Sequence, residues 1–212
     1  MVENLREHVV ATVKGGGRER VLLYGPPQTG KTYVSRALAN ELGMDVRIIK
    51  SFPDELALNE LALAPENQLL FIDCADELGG DLLETIFSSL TDRKIIVAAS
   101  NTPWLLDGKI LGYFTSTIFM SEPDIQAREG IIKTFLPAEI DDEAIHELAL
   151  AAEYYTAGEI HKVIQAAEGN ELEKAFKNTQ PTTVKEWRGM AMENRDKMDE
   201  KLFKPLLGWL DG

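Results

Sequence analysis

Residues Gly25-Pro26-Pro27-Gln28-Thr29-Gly30-Lys31-Thr32 have the spacing G-x-x-x-x-G-K-[ST]. A loop of this type can turn its backbone N–H groups inward around phosphate, and its glycines permit the dihedrals that this requires. A helix opening at Lys31 would add the attraction of its positive end. Lys31 would reach the β- and γ-phosphates of a nucleotide, and the Thr32 hydroxyl would ligate Mg²⁺. Tyr33 follows directly and is grouped with the binding residues. The chemistry indicated is the binding of ATP with Mg²⁺.

Two strand ends supply further candidates. Leu69-Leu70-Phe71-Ile72-Asp73 is an apolar run ending in an acid, about 40 residues after the loop lysine. Asp73 would hold Mg²⁺ beside the phosphates, through water. Ile95-Ile96-Val97-Ala98-Ala99-Ser100-Asn101 is a second buried run with a polar end. Asn101 would lie between the two earlier strand ends and orient an attacking water.

These residues need a scaffold, and the hydrophobic pattern outlines one. Helices are predicted over Val2 to Lys14, Lys31 to about Leu42, Glu55 to Leu63 and Gly80 to Leu90. Strands are predicted at Arg20–Tyr24, Asp45–Ile49, Leu69–Asp73, Ile95–Ala99 and Thr117–Met120. After Pro123 the strands stop. Helices are predicted from Pro123 to Phe135, Asp141 to Ala152, Ala157 to about Lys177 and Thr183 to about Lys201. Strands alternating with helices, then helices alone, predict a parallel α/β domain followed by a helical one.

The net charge is −13, and no Lys or Arg stands between Lys50 and Arg93. That balance weighs against nucleic acid as a partner. No apolar run approaches the roughly 20 residues of a membrane span. The N-terminal residues carry acids early and lack a signal-peptide apolar core, so a cytoplasmic location is expected. The single cysteine, Cys74, makes neither an internal disulfide nor a cysteine-based zinc site.

The three motifs in this order, with helices behind, resemble the AAA+ ATPases over nearly the whole chain. Gly25 to Thr32 has the Gly-Pro-Pro-x-Thr-Gly-Lys-Thr form which that family favours. Ala98-Ala99-Ser100-Asn101-Thr102-Pro103 looks like its sensor 1 stretch. Glu122-Pro123-Asp124 followed by Ala127 to Lys133 looks like the start of its lid. Tyr155-Thr156-Ala157-Gly158-Glu159-Ile160 looks like the lid helix that meets nucleotide in the AAA branch, where small residues such as Ala157 and Gly158 replace a sensor arginine. The resemblance implies a P-loop NTPase fold: a parallel five-stranded sheet flanked by helices, a small all-helical lid, and nucleotide bound between them. It also implies assembly into a homo- or hetero-oligomeric ring acting on a protein substrate or partner.

The chain departs from that pattern in three places. The family's Glu after the strand-end Asp is here Cys74, and a thiol is a poor base for water. Asp76 and Glu77 are the acids close by, and are the candidates for its role. The family's arginine finger, in a Gly-Arg-Phe stretch, is matched here by Gly112-Tyr113-Phe114, with Lys109 the nearby cation. Ser51 to Leu63 lacks the aromatic–hydrophobic–Gly pore loop of unfoldases, and Phe52 reads as core. Leu206, Leu207, Trp209 and Leu210 make an apolar tail, expected to be buried in a domain or an interface.

The expected organisation is an ATPase core at residues 1–121, a lid at 122–178 and a C-terminal helical extension at 179–212. The expected function is an ATP-binding AAA+ module with slow or partner-dependent hydrolysis that remodels or assembles a protein. The alternatives are a non-hydrolysing, nucleotide-dependent assembly switch or scaffold, and a loader-like ATPase associated with DNA.

Overall fold

The run Glu19–Tyr24 (β1) is buried at nearly every position, as befits a strand covered on both faces. In the computed structural model, which describes residues 2–50, 65, 67–90, 95–167 and 171–210, β1 is one of five parallel strands. The others are Asp45–Ile49 (β2), Gln68–Ile72 (β3), Ile95–Ser100 (β4) and Ser116–Phe119 (β5), and the sheet order is β2-β3-β4-β1-β5. This is the predicted five-stranded parallel sheet. The predicted helix over Glu55 to Leu63, and the Ser51 to Leu63 segment with Phe52, lie outside the described residues.

The chain divides into two compact units. The first holds Met1–Gly25, Lys31–Phe119 and Glu193–Gly212; the second holds Pro26–Gly30 and Met120–Met192. In the first, Val2–Lys14 (α1) and Lys31–Leu42 (α2) form as their apolar spacing predicts. Two four-residue helices, Ala75–Leu78 (α3) and Gly108–Leu111 (α5), are too short to show a period and were not predicted. Between them lies Gly80–Ser89 (α4), whose Leu82, Leu83, Ile86 and Phe87 are buried.

The C-terminal residues pack on the same unit. The predicted helix from Thr183 to about Lys201 stops at Glu193, because Asn194 leaves helical geometry and Asp199 caps a new short helix, Glu200–Phe203. Leu202 and Leu206 are fully buried. The Tyr24 hydroxyl donates to the Leu202 carbonyl at 2.9 Å, and Trp209 packs edge-on against Phe119, with ring centroids 5.1 Å apart. Of the tail residues expected to be buried in a domain or an interface, Leu206 is buried in this unit and Leu207 is 46% exposed: it opens a last short helical turn whose other apolar residues, Trp209 and Leu210, are half-buried.

The second unit holds Ile125–Phe135 (α6), Asp142–Ala151 (α7), Ala157–Ala166 (α8), Leu172–Asn178 (α9) and, up to Met192, the helix Thr183–Glu193 (α10), with the loop residues 26–30. The single helix predicted from Ala157 to about Lys177 is two helices, since Ala167 turns to extended geometry at ψ 132°. Ile132, Ile145, Leu148, Tyr155, Ile160 and Phe176 form its core. The buried Arg128 satisfies its guanidinium on backbone, donating to the carbonyls of Ala149 (2.7 Å) and Pro123 (2.9 Å).

Candidate functional site

Tyr24 ends β1, and the chain curls at once. Gly25, Gln28 and Gly30 have φ of 143°, 64° and 96°, which bend the loop tightly. Gly25 N–H donates to the Ser100 carbonyl at the end of β4, and the Thr29 hydroxyl donates to the Pro26 carbonyl at 2.9 Å. Lys31 opens α2 and is buried, its ammonium donating to the Gly25 carbonyl at 3.0 Å. Burial draws its pKa down from 10.5 to about 8, against the opposing fields of the Asp76 and Asp73 carboxylates. The structure therefore brings the loop lysine into the field of the strand-end acids. Thr32 is half-buried beside it, whereas Tyr33 is 71% exposed.

At the end of β3, Asp73 N–H donates to the Ile49 carbonyl at 2.8 Å, which fixes the turn to β2. Cys74 takes the left-handed conformation (φ 53°, ψ 54°), uncommon for a residue with a Cβ, and starts α3. Its Sγ lies 4.0 Å from Asp73 Oδ1. Burial, followed by the neighbouring carboxylates of Asp73, Glu77 and Asp76, pushes the thiol up to about 11, and Asp73 Oδ1 accepts its hydrogen. The group at this position is thus a neutral thiol at physiological pH.

The left-handed turn at Cys74 redirects the next two acids differently. Asp76 Oδ2 accepts from Thr102 N–H at 3.0 Å and from the Thr102 hydroxyl, while Oδ1 is buried without a hydrogen-bond partner. Glu77 is exposed. A cavity of about 20 Å³ beside Asp76, walled by Gly79, Leu83, Leu106 and Ile110, holds one water at most. Asn101 follows β4, which lies between β1 and β3 in the sheet. The sequence places Thr102 in the Ala98–Pro103 stretch without a role of its own, since nothing local marks a threonine as the partner of an acid 26 residues away.

Two further positions bear on the site. Tyr113 stacks on Phe87 with ring centroids 5.0 Å apart, and Lys109 is paired with Glu84 at 2.6 Å. In the second unit, Ala157 and Gly158 open α8 behind a capping box of Thr156 and Glu159, and Gly158 N–H donates to the Gln28 carbonyl at 3.0 Å. Glu159 reaches further: Oε1 accepts from the Thr183 hydroxyl at 2.7 Å and from the Thr182 and Thr183 N–H groups at 3.3 Å. These hydrogen bonds hold its carboxyl below the usual range although burial opposes them. The T-x-x-E pattern at Thr156 marks the capping box in the sequence, but not the link to α10.

The oxygen donors Thr32 and Asp73 suit a hard cation such as Mg²⁺. Among the described residues no group of three or more His, Cys, Asp or Glu side chains forms a metal cage. No helix among the described residues is long and apolar enough to cross a membrane.

Comparison with known proteins agrees with this geometry. Residues 21–122 match the sequence model of the ATPase family associated with various cellular activities (AAA). The chain is 27% identical over 218 residues to vacuolar protein sorting-associated protein 4A of Homo sapiens, covering 87% of this chain and 49% of that protein. It is 27% identical over 203 residues to cell division protein C of Sulfolobus acidocaldarius, covering 77% and 54%. The chain thus spans about half the length of these two relatives. Solved structures share the fold: the FIGL-1 AAA domain superposes with a TM-score of 0.68 at 18% identity, over 93% of this chain and 86% of that one. A structure described under katanin self-assembly gives 0.64 at 22%, over 87% and 86%. By its phosphate loop and the match over residues 21–122, the chain carries a domain of the AAA+ P-loop ATPase family.

Proposed function

We propose that this chain binds Mg-ATP through Gly25–Thr32 and hydrolyses it slowly, or at a useful rate only when a partner completes the site, in order to remodel or assemble a protein. The observation that carries this reading is the thiol of Cys74 standing directly after Asp73, its Sγ 4.0 Å from Asp73 Oδ1, beside an intact phosphate loop; burial and the neighbouring carboxylates favour its neutral form. A neutral thiol does not take a proton from water at physiological pH.

In this reading, Lys31 leaves the Gly25 carbonyl for the β- and γ-phosphates, and the loop N–H groups hold the remaining phosphate oxygens. Mg²⁺, held by Thr32 and by Asp73 through water, would neutralise charge on the phosphates. Asn101 orients water. Asp76 acts through Thr102, since one of its oxygens is engaged there and the other is enclosed. Glu77 is then the exposed carboxylate that remains as a base. Tyr113, stacked within its own unit, supplies no charge to a neighbouring subunit.

The names of the relatives, in protein sorting and cell division, support work on protein assemblies. So does a solved structure described by katanin self-assembly, and ring assembly of this chain is part of the proposal. A second reading, a nucleotide-dependent assembly switch that does not turn over, is favoured by the same protonated thiol. Calorimetry with Mg-ATP on the wild type and Lys31→Ala tests the binding step. The substitution removes the loop's cation and should abolish binding in a protein whose circular dichroism is unchanged; undiminished affinity would refute the site.

A further inference from the structure

We infer that Gln28 and Gly158 form a latch through which the first turn of α8 holds the phosphate loop in its curled shape. The inference rests on the nucleotide reading of Gly25–Thr32 and adds a positioning role for two residues of the second unit. The observations are independent of one another. Gln28 carries a side chain in left-handed geometry, φ 64°, a region that residues with a Cβ adopt under strain and keep when their surroundings hold them there. Its carbonyl accepts the Gly158 N–H at 3.0 Å. Its side chain lies directly over Gly158: a Cβ built on Gly158 would stand 2.8 Å from Gln28 Cβ and 2.9 Å from Oε1.

Helix termini explain why this contact forms. The first N–H groups of a helix have no partner within it. In α8 the Thr156 hydroxyl takes the Glu159 N–H, and the Gln28 carbonyl takes that of Gly158. Each side of the latch therefore satisfies the other: the loop caps the helix, and the helix fixes the loop residue of least favourable backbone geometry. Glycine at 158 is required by the approach of Gln28, because the nearest clashing atom is a Cβ, which cannot swing away as a chain terminus can. The Gly158 amide is thereby committed to the loop backbone, so its part in nucleotide binding is indirect.

The test uses the full chain and Mg-ATP calorimetry. Gly158→Ala should push Gln28 aside and weaken binding by about tenfold. Gln28→Gly removes the clashing side chain and the strain together, so Gln28→Gly/Gly158→Ala should bind within about twofold of Gln28→Gly alone. A loss that Gln28→Gly does not rescue, or a Gly158→Ala variant that binds like wild type, would overturn the latch. Should Gly158→Ala fail to fold, amide exchange at Gly158 in the nucleotide-free wild type decides: slow exchange supports the latch, exchange at the free-peptide rate refutes it. Wild-type protein that binds no Mg-ATP would refute the phosphate-loop reading instead, and the exchange measurement would still decide the latch.

Discussion

Asp76 and Thr102 are joined by two hydrogen bonds to one carboxylate oxygen, Oδ2, one from the Thr102 N–H at 3.0 Å and one from its hydroxyl. The pair ties the turn after β3 to the turn after β4, next to Asn101. It also keeps a negative charge in the field felt by Lys31. The acid that best resembles a spare base is thus occupied in holding two motifs together.

Asp76→Ala should therefore cost about 1–3 kcal/mol of stability in urea unfolding, the usual scale for hydrogen bonds to a charged group. Asp76→Asn keeps an acceptor for Thr102 and should recover about half of that loss or more. Equal loss in both variants would mean that the charge, and not the contact with Thr102, is what matters.

Lys31 should make binding pH-dependent. Its pKa is lowered to about 8 by burial, and bound phosphate would raise it again. ATP affinity should fall as pH rises through about 8, and binding near that pH should take up on the order of half a proton. Calorimetry in buffers of different ionisation enthalpy reads the proton directly. A binding enthalpy independent of buffer at that pH would contradict the buried-lysine account.

Glu159 should make the second unit sensitive to acid. Its folded-state pKa is lowered, so its contribution is present above the ordinary glutamate value of 4.5 and is lost as pH falls through the lower folded one. Glu159→Gln should cost about 1–3 kcal/mol at pH 7, and the gap from wild type should narrow once pH drops below about 4.5. A gap that does not change with pH would assign the loss to packing.

The tail offers a contrast within a few residues. Leu202→Ala or Leu206→Ala, both at fully buried positions, should destabilise by about 2–5 kcal/mol. Leu207→Ala, at a position 46% exposed, should stay within about 0.5 kcal/mol. Comparable losses at all three sites would place Leu207 in an interface.

The phosphate loop and the strands were legible because their signals are local: an eight-residue spacing, and apolar runs ending in Asp73 and Asn101. What escaped was long-range or short. The Tyr24–Leu202 bond spans 178 positions, and the Asp76–Thr102 bond spans 26, with no periodic mark at either end. Helices of four residues, Ala75–Leu78 and Gly108–Leu111, complete barely one turn and show no face. Cys74 was legible as a departure, but its left-handed backbone, which sends Asp76 to Thr102 and leaves Glu77 open, is set by tertiary context.

The central claim is that nucleotide binding and turnover are separated at Cys74. The most direct measurement is the ATPase rate at saturating Mg-ATP of the wild type and Cys74→Glu, with calorimetric affinity measured on the same preparations. The account predicts ordinary affinity in both proteins, slow turnover in the wild type and a gain of about 10²–10⁴ in Cys74→Glu, the range that a positioned base contributes. Brisk turnover by the purified wild-type chain, unchanged or reduced in Cys74→Glu, would contradict it.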